Sequence, residues 1–139
     1  MRHFSWPVRV YLEDTDAGGI VYHASYLRYL ERARTEWLRA SGIGLEEWRT
    51  RHRRLFVVRS MTTDFLALAR LDERLTVGVE MSALKRASLV CEQSVRRDGE
   101  TLVRATVRLA CLDADTALSE RPVPAAIPPA IREAMTRER

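Results

Sequence analysis

The chain has 139 residues, 46% hydrophobic and 30% charged, so we expect one domain over residues 1–139 with a packed core. No apolar run approaches the length of a membrane span, and residues 1–7 lack the apolar segment of a signal peptide, which favours the cytoplasm. The net charge of +4 suits an anionic ligand such as a phosphorylated cofactor, although nucleic acid or an anionic membrane surface would also fit.

The first predicted element, a strand over residues 7–12, runs into a turn rich in carboxylates. Asp16 is the acidic residue nearest to a glycine pair at which the backbone can turn tightly, and a helix begins just after it, near His23. A helix N-terminus offers free N–H groups, so the pattern indicates a carboxylate base or nucleophile facing oxyanion donors. Simple turn chemistry is the alternative for Asp16, and Glu13 and Asp14 are expected to hold the turn.

A helix of about five turns is predicted from residue 23 or 24 to residue 41, and Gly42 is a fitting stop. Its apolar face is formed by Leu27, Leu30, Ala33, Trp37 and Leu38. Its polar side is formed by Glu31, Arg32, Arg34, Glu36 and Arg39. Glu31 and Arg34 are spaced to pair with each other.

A basic cluster follows a second, short amphipathic stretch at residues 45–48. The cluster consists of Arg49, Arg51, Arg53 and Arg54 around His52. No aromatic residues interleave with these cations, so base stacking on nucleic acid is poorly supported. A solvated loop or helix end is the favoured interpretation.

The rest of the chain predicts four consecutive strands, at residues 55–68, 75–83, 88–96 and 102–112. Residues 97–100 form a hairpin turn, and a proline-rich tail from about residue 122 leads to a frayed helix at residues 130–139. Cys91 and Cys111 each fall on an apolar strand face, which indicates buried structural thiols. One helix among five strands predicts an α+β fold with an antiparallel sheet.

An ordered set of motifs resembles a known family, the acyl-CoA thioesterases encoded with the bacterial Tol-Pal system, which are relatives of 4-hydroxybenzoyl-CoA thioesterase. The matching stretches are WPVRVY at residues 6–11, EDTDAGGIVYHASY at 13–26, ERARTE at 31–36, FVVRSMT at 56–62, ARLD at 69–72 and SLV at 88–90. A short DxDxxG motif alone would be weak evidence, but the ordered set spans roughly residues 4–128.

The resemblance implies a hotdog fold, in which a five-stranded antiparallel sheet wraps one long central helix and two chains pair. It implies acyl-CoA hydrolysis, with Asp16 as the essential carboxylate and the His23 backbone N–H as an oxyanion donor. The His23 side chain has either a catalytic or a packing role. Coenzyme A contacts are implied at Lys85 and Arg86, for which an ordinary solvated turn is the alternative. The backbone around Val58 is implied to approach the thioester from the partner subunit.

The expected chemistry needs no cofactor, since coenzyme A is part of the substrate, and no metal. An EF-hand does not fit, because Gly18 and Ser25 occupy ligand positions. A hotdog dehydratase needs a differently placed acid and histidine. A docking module for acyl carrier protein or an envelope complex stays open beside the hydrolase. The acyl chain, the choice between dimer and dimer of dimers, and the choice between base and nucleophile are not determined by the sequence.

Overall fold

The computed structural model describes residues 3–42 and 44–137. The strands are β1 (His3–Arg9), β2 (Arg54–Phe65), β3 (Arg74–Leu84), β4 (Ser88–Arg97) and β5 (Glu100–Asp113). The helices are α1 (His23–Ala40), α2 (Leu45–Thr50) and α3 (Pro129–Thr136), so two short helices accompany the predicted long one. Within the described residues, no helix is long and apolar enough to cross a membrane.

The five strands form one antiparallel sheet in the order β1-β3-β4-β5-β2. The turn between β4 and β5 has positive φ angles at Asp98 (48°) and Gly99 (87°), as the predicted hairpin requires. β1 and β2 are the edge strands, and each has one side without a neighbouring strand in the described chain. A free edge is a place where a second chain can pair.

Two strand boundaries differ from the sequence prediction. The first strand begins at His3 and ends at Arg9, and Leu12 lies in a 3-10 turn, 75% exposed, rather than in the strand. β2 ends at Phe65, because the N–H groups of Leu66 and Ala67 both donate to the carbonyl of Leu102. In both places the chain leaves the sheet to build the loops around the helix start.

Helix α1 packs its apolar stripe on β1, β3 and β4. Arg34, which we placed on the polar side, is buried on this face, since it lies four residues from both Leu30 and Leu38. Its Nη1 donates to Gln93 Oε1 at 2.9 Å, so the predicted pairing with Glu31 is wrong. Leu27, which was predicted on the apolar face, is instead 37% exposed.

Residues 125–136 are docked and not frayed, whereas the last two residues of the predicted terminal helix, 138 and 139, lie outside the described residues. The Ala125 N–H donates to the carbonyl of Cys111, and the Ile127 N–H donates to the carbonyl of Arg86 at 2.8 Å. Helix α3 then buries Ile131 and Met135 in the core. The hydrophobic contacts of these residues therefore hold the tail against the sheet.

Two minor predictions are confirmed. Cys91 and Cys111 are buried free thiols, and burial raises the pKa of Cys91 to about 12. Three arginines of the basic cluster are on a solvated surface: Arg49, Arg51 and Arg53 pair with Glu46, Glu47 and Asp115, respectively, whereas Arg54 is partly buried in β2. Such exposed pairs contribute little to stability.

Candidate active site

The carboxylate turn before α1 is closed by backbone hydrogen bonds. Asp16 N–H donates to the Ile20 carbonyl at 2.9 Å, and Gly19, with φ of 77°, donates to the Asp16 carbonyl at 3.1 Å. The Asp16 side chain is exposed, and its Oδ1 accepts the Gly18 N–H at 2.9 Å. Among the described residues, this carboxylate has no second hydrogen bond and no ion pair. The turn therefore presents a fixed, solvent-facing carboxylate.

Asp14 supports this turn from below. Its side chain is 2% exposed, and Oδ2 accepts the Tyr11 N–H at 2.9 Å. Its backbone carbonyl accepts the Tyr22 N–H at 2.9 Å and the Ser25 hydroxyl at 3.0 Å. Burial, and then the adjacent Asp14 carboxylate, raise the pKa of Tyr29. Asp14 thus holds the turn, as predicted, and joins it to the first turn of α1.

The N-terminus of α1 supplies a free backbone donor. The helix begins at His23, and among the described residues its N–H has no acceptor, as expected for a first helical residue. The His23 ring lies 4.4 Å from the Tyr22 ring and 6.2 Å from the Phe65 ring, centroid to centroid. His23 and Tyr22 are both exposed, so this aromatic group forms an open wall beside the carboxylate turn.

The loop between β2 and β3 fixes the other side of the turn. The Ala69 carbonyl accepts the Val21 N–H at 2.9 Å, and the Ala69 N–H donates to the Tyr26 hydroxyl at 2.9 Å. Arg97 anchors the loop by donating to the Leu68 carbonyl at 3.0 Å and to Glu73 at 2.9 Å. Local sequence patterns do not predict this support, because residues 21 and 69, and residues 68 and 97, meet only through the fold.

Lys85 lies elsewhere, in the turn between β3 and β4. It lines a groove of about 370 Å³ together with Arg59 and Arg108. Arg86 is exposed and does not line this groove. Arg59 and Arg108 were not predicted as part of a binding site. A signal existed for Arg108, which alternates with apolar Val107 and Leu109 and therefore points away from the core.

Val58 lies on the free edge of the sheet. It is 46% exposed, pairs with Leu109 of β5, and precedes a bulge at Arg59. It lines a cavity between α1, α2 and β2. Phe65, beside His23, is seven residues further along the same strand, which corresponds to roughly 23 Å. Within one chain, Val58 is therefore distant from the carboxylate turn.

Solved structures identify the class of protein that this fold defines. The model superposes on 4-hydroxybenzoyl CoA thioesterase from Pseudomonas sp. strain CBS-3 with a TM-score of 0.86, at 22% identity, over 96% of this chain and 99% of that one. A probable thioesterase from Bartonella henselae gives a TM-score of 0.82 at 32% identity, over 91% and 100% of the chains. The fold is the predicted hotdog fold of thioesterases.

Sequence comparisons define the family of this chain more specifically than the fold does. The chain matches the model of the thioesterase-like superfamily over residues 10–135. Acyl-CoA thioesterase YbgC of Haemophilus influenzae is 46% identical over 110 residues, 79% of this chain and 81% of the relative. Acyl-CoA thioester hydrolase YbgC of Escherichia coli O6:H1 is 47% identical over 111 residues, 79% and 82% of the two chains. The chain belongs to the thioesterase-like superfamily, and it is an enzyme that hydrolyses thioesters.

Proposed function

We propose that the enzyme hydrolyses acyl-CoA thioesters to a free acid and coenzyme A, with Asp16 as the catalytic carboxylate. The observation that carries this proposal is an exposed Asp16 carboxylate in a turn that is hydrogen-bonded to the first turn of α1, where the His23 N–H has no acceptor among the described residues. Acyl transfer needs these two components, a base or nucleophile and an oxyanion donor. The names of the sequence relatives support acyl-CoA as the substrate.

The reaction requires few groups. Acting as a base, Asp16 takes a proton from water while the water oxygen attacks the thioester carbonyl carbon. Acting as a nucleophile, it attacks that carbon itself and forms an anhydride, which water then opens. In both routes the carbonyl oxygen becomes an oxyanion that accepts the His23 N–H, and the C–S bond breaks. The thiolate leaves without a strong general acid, because its conjugate thiol has a pKa of roughly 8.5.

The His23 side chain is the second catalytic group that we propose. Its ring stands at the start of α1 between Tyr22 and Phe65, and it is exposed to solvent. An imidazole at this place can orient the attacking water or contact the thioester.

Coenzyme A would place its phosphates in the basic groove. Of Lys85 and Arg86, which the sequence predicted as coenzyme A contacts, only Lys85 lines this groove. Arg59 and Arg108 add two further cations. Arginine and lysine bind phosphate through charge-assisted hydrogen bonds. The support for a phosphate contact at Arg86 is weaker, because this exposed residue does not line the groove.

A complete site would combine two chains. Val58 can lie next to the thioester only if it comes from a second copy, since it is roughly 23 Å from Phe65 in its own chain. The free edge of β2 offers that geometry. Antiparallel pairing of two β2 strands about an axis between Met61 and Thr62 would bring Phe65 close to the partner's Val58. We therefore propose a homodimer, alone or within a dimer of dimers.

The test is steady-state hydrolysis of acyl-CoAs of increasing chain length by the parent and by Asp16→Asn. Asp98→Asn is the matched control, because it makes the same change at an exposed turn between β4 and β5. Turnover by the parent and by the control, together with its loss in Asp16→Asn, would support the proposal. Pull-down of acyl carrier protein by a parent that lacks hydrolytic activity would instead favour a docking module.

A further inference from the structure

The cavity that Val58 lines has a volume of about 580 Å³ and lies between α1, α2 and the first half of β2. This size falls within the range of small-molecule sites. Its wall is largely apolar, with Leu38, Leu55 and Phe56 among the lining residues. Two exposed residues, Val57 and Val58, also line it, so the cavity reaches the free edge of the sheet.

Two buried donors line this apolar cavity. Arg34 is 7% exposed, and its one side-chain hydrogen bond goes to the neutral amide oxygen of Gln93. In the described part of the chain, no carboxylate forms an ion pair with its guanidinium within 4.0 Å; the charge of Glu31, which lines the same cavity, acts on Arg34 without such a pair. Trp48 is 1% exposed, and its Nε1–H has no acceptor among the described residues. Buried donors of this kind call for an acceptor.

The charges around the cavity show what that acceptor should be. Three arginines and two glutamates line it, Arg34, Arg49 and Arg54 against Glu31 and Glu46, which leaves one positive charge in excess. Arg49 is already paired with Glu46 at 3.1 Å. Arg54 donates only to backbone carbonyls, those of His52, Arg53 and Ala126. An anionic ligand would therefore complement the cavity.

We infer that this cavity receives the acyl group of the substrate, and that Arg34 and the Trp48 N–H, both of which belong to its lining residues, bind a terminal carboxylate. The substrate class is then the coenzyme A monothioester of a dicarboxylic acid. The inference rests on the proposed function, in which the thioester lies beside Val58 at the edge of this cavity. A guanidinium matches a carboxylate in shape and charge, and the apolar lining of the cavity fits a methylene chain.

The test compares substrates that differ only in the terminal group. Adipyl-CoA and hexanoyl-CoA have six-carbon acyl groups, and glutaryl-CoA and valeryl-CoA repeat the comparison with five. For the parent we expect the ratio of kcat/KM, dicarboxylate over monocarboxylate, to exceed one. It should fall roughly tenfold or more in Arg34→Met, mainly through KM, and by less in Trp48→Phe. Arg34→Lys should retain part of the preference, since it keeps the charge.

Arg39→Met is the matched control, an exposed arginine of the same helix, and it should keep the parent's ratio. Binding of both esters to Asp16→Asn, measured by calorimetry, reports the preference without turnover and without a change at Arg34. A parent that favours the monocarboxylates, or an Arg34→Met ratio equal to the parent's, would overturn the inference. The second result would indicate that Glu31 or a partner chain neutralises Arg34.

The two proposals fail separately. Hydrolysis of hexanoyl-CoA that depends on Asp16, without a preference for adipyl-CoA in kinetics or in binding, would leave the proposed function standing and refute the carboxylate site. Absence of hydrolysis with every ester would refute the proposed function. In Arg34→Met, the melting temperature shows whether the chain still folds; if it does not, Arg34→Lys, Trp48→Phe and the binding comparison decide.

Discussion

The hydroxyl of Ser25 donates a hydrogen bond to the backbone carbonyl of Asp14 at 3.0 Å, across the turn that carries Asp16. The N–H of Tyr22 donates to the same carbonyl at 2.9 Å. One acceptor thus fixes the start of α1 to the base of the carboxylate turn. The proposed carboxylate and the proposed oxyanion donor, the His23 N–H, are therefore held in one rigid unit, which preorganised catalysis requires.

Asp16→Asn should nearly abolish turnover and leave the fold and substrate binding largely intact. The exposed carboxylate has one hydrogen bond, to the Gly18 N–H, which the amide oxygen of Asn can also accept. Loss of an essential acid–base or nucleophilic group costs roughly 10² to 10⁴ in rate. Steady-state kinetics and a thermal melt measure the two effects, and an active Asp16→Asn enzyme would refute the assignment.

Compared with Asp16→Asn, the Asp14→Asn variant should lose less activity and more stability. Asp14 is 2% exposed and accepts the Tyr11 N–H, and Arg28 lies 3.8 Å from its other oxygen. Asparagine can still accept the Tyr11 N–H, but its NH2 donor replaces the buried carboxylate oxygen that faces Arg28, and such a mismatch costs about 1–3 kcal/mol in the free energy of unfolding. Chemical denaturation of the two variants side by side gives the comparison. Equal stability of Asp14→Asn and the parent would contradict a supporting role for this carboxylate.

Replacing Lys85 and Arg86 by Ala should weaken binding of coenzyme A esters more than that of short thioesters that lack the nucleotide. Of the two single variants, Lys85→Ala should have the larger effect, because only Lys85 lines the basic groove. Replacing Arg59 and Arg108 should act in the same direction. Each desolvated charged hydrogen bond contributes roughly 1.5–3 kcal/mol, and less at an exposed rim.

Salt provides an independent check on the same groove. The parent's affinity for coenzyme A esters should fall as ionic strength rises, and the slope should be shallower in the variants. Competition binding over a salt series measures both. Equal losses on long and short thioesters would show that the groove does not bind the nucleotide.

Two inactive variants should complement each other if the site is shared between chains. Asp16→Ala removes the carboxylate, and Val58→Trp blocks the partner-facing part of β2. A heterodimer then has one site with both residues intact and one with both defects. Refolded mixtures should regain part of the parent activity, and sedimentation should show at least a dimer at micromolar concentration. A fully active monomer, or absence of rescue in proven heterodimers, would contradict the proposal.

Local patterns in the sequence predicted most of the fold. The alternation of Leu75, Val77 and Val79, and the Asp98-Gly99 turn, depend on neighbours within a few residues, and both are present as expected. The position of Asp16 beside the helix start is equally local. The charge of Arg34 predicts a place on the polar side of α1, which is wrong. Its distance of four residues from both Leu30 and Leu38 marks the buried face.

The parts of the candidate site that the sequence did not predict depend on contacts between residues that are far apart in the chain. Arg59 and Arg108 meet Lys85 only because β2 and β4 both pair with β5. Ala69 meets Val21 through a loop whose course a single sequence does not reveal. Contacts of this kind require the strand order, which the family resemblance implied and the local periodicity did not.

The Cys91 thiol should resist alkylation in the folded enzyme. Its burial should also lower the free energy of unfolding of the enzyme at high pH. Burial raises its pKa to about 12, so the folded state keeps the proton in the range where the unfolded thiol loses it. Stability from this group is therefore complete below the ordinary thiol pKa and falls above it, by at most about 1.4 kcal/mol per pH unit. Urea denaturation of the parent and of Cys91→Ala between pH 8 and 11 measures the difference. An identical pH dependence in both would contradict it.

The tail of the chain holds the turn that carries Lys85. Arg132 in α3 donates to the Lys85 carbonyl at 2.7 Å, and the Ile127 N–H donates to the Arg86 carbonyl. Detachment of residues 123–136 would release this turn, and with it one of the three cations that line the basic groove. Local opening of the tail should therefore weaken binding of a nucleotide ester. The affinity for such an ester thus depends on a chain segment more than one hundred residues away from Asp16 in the sequence.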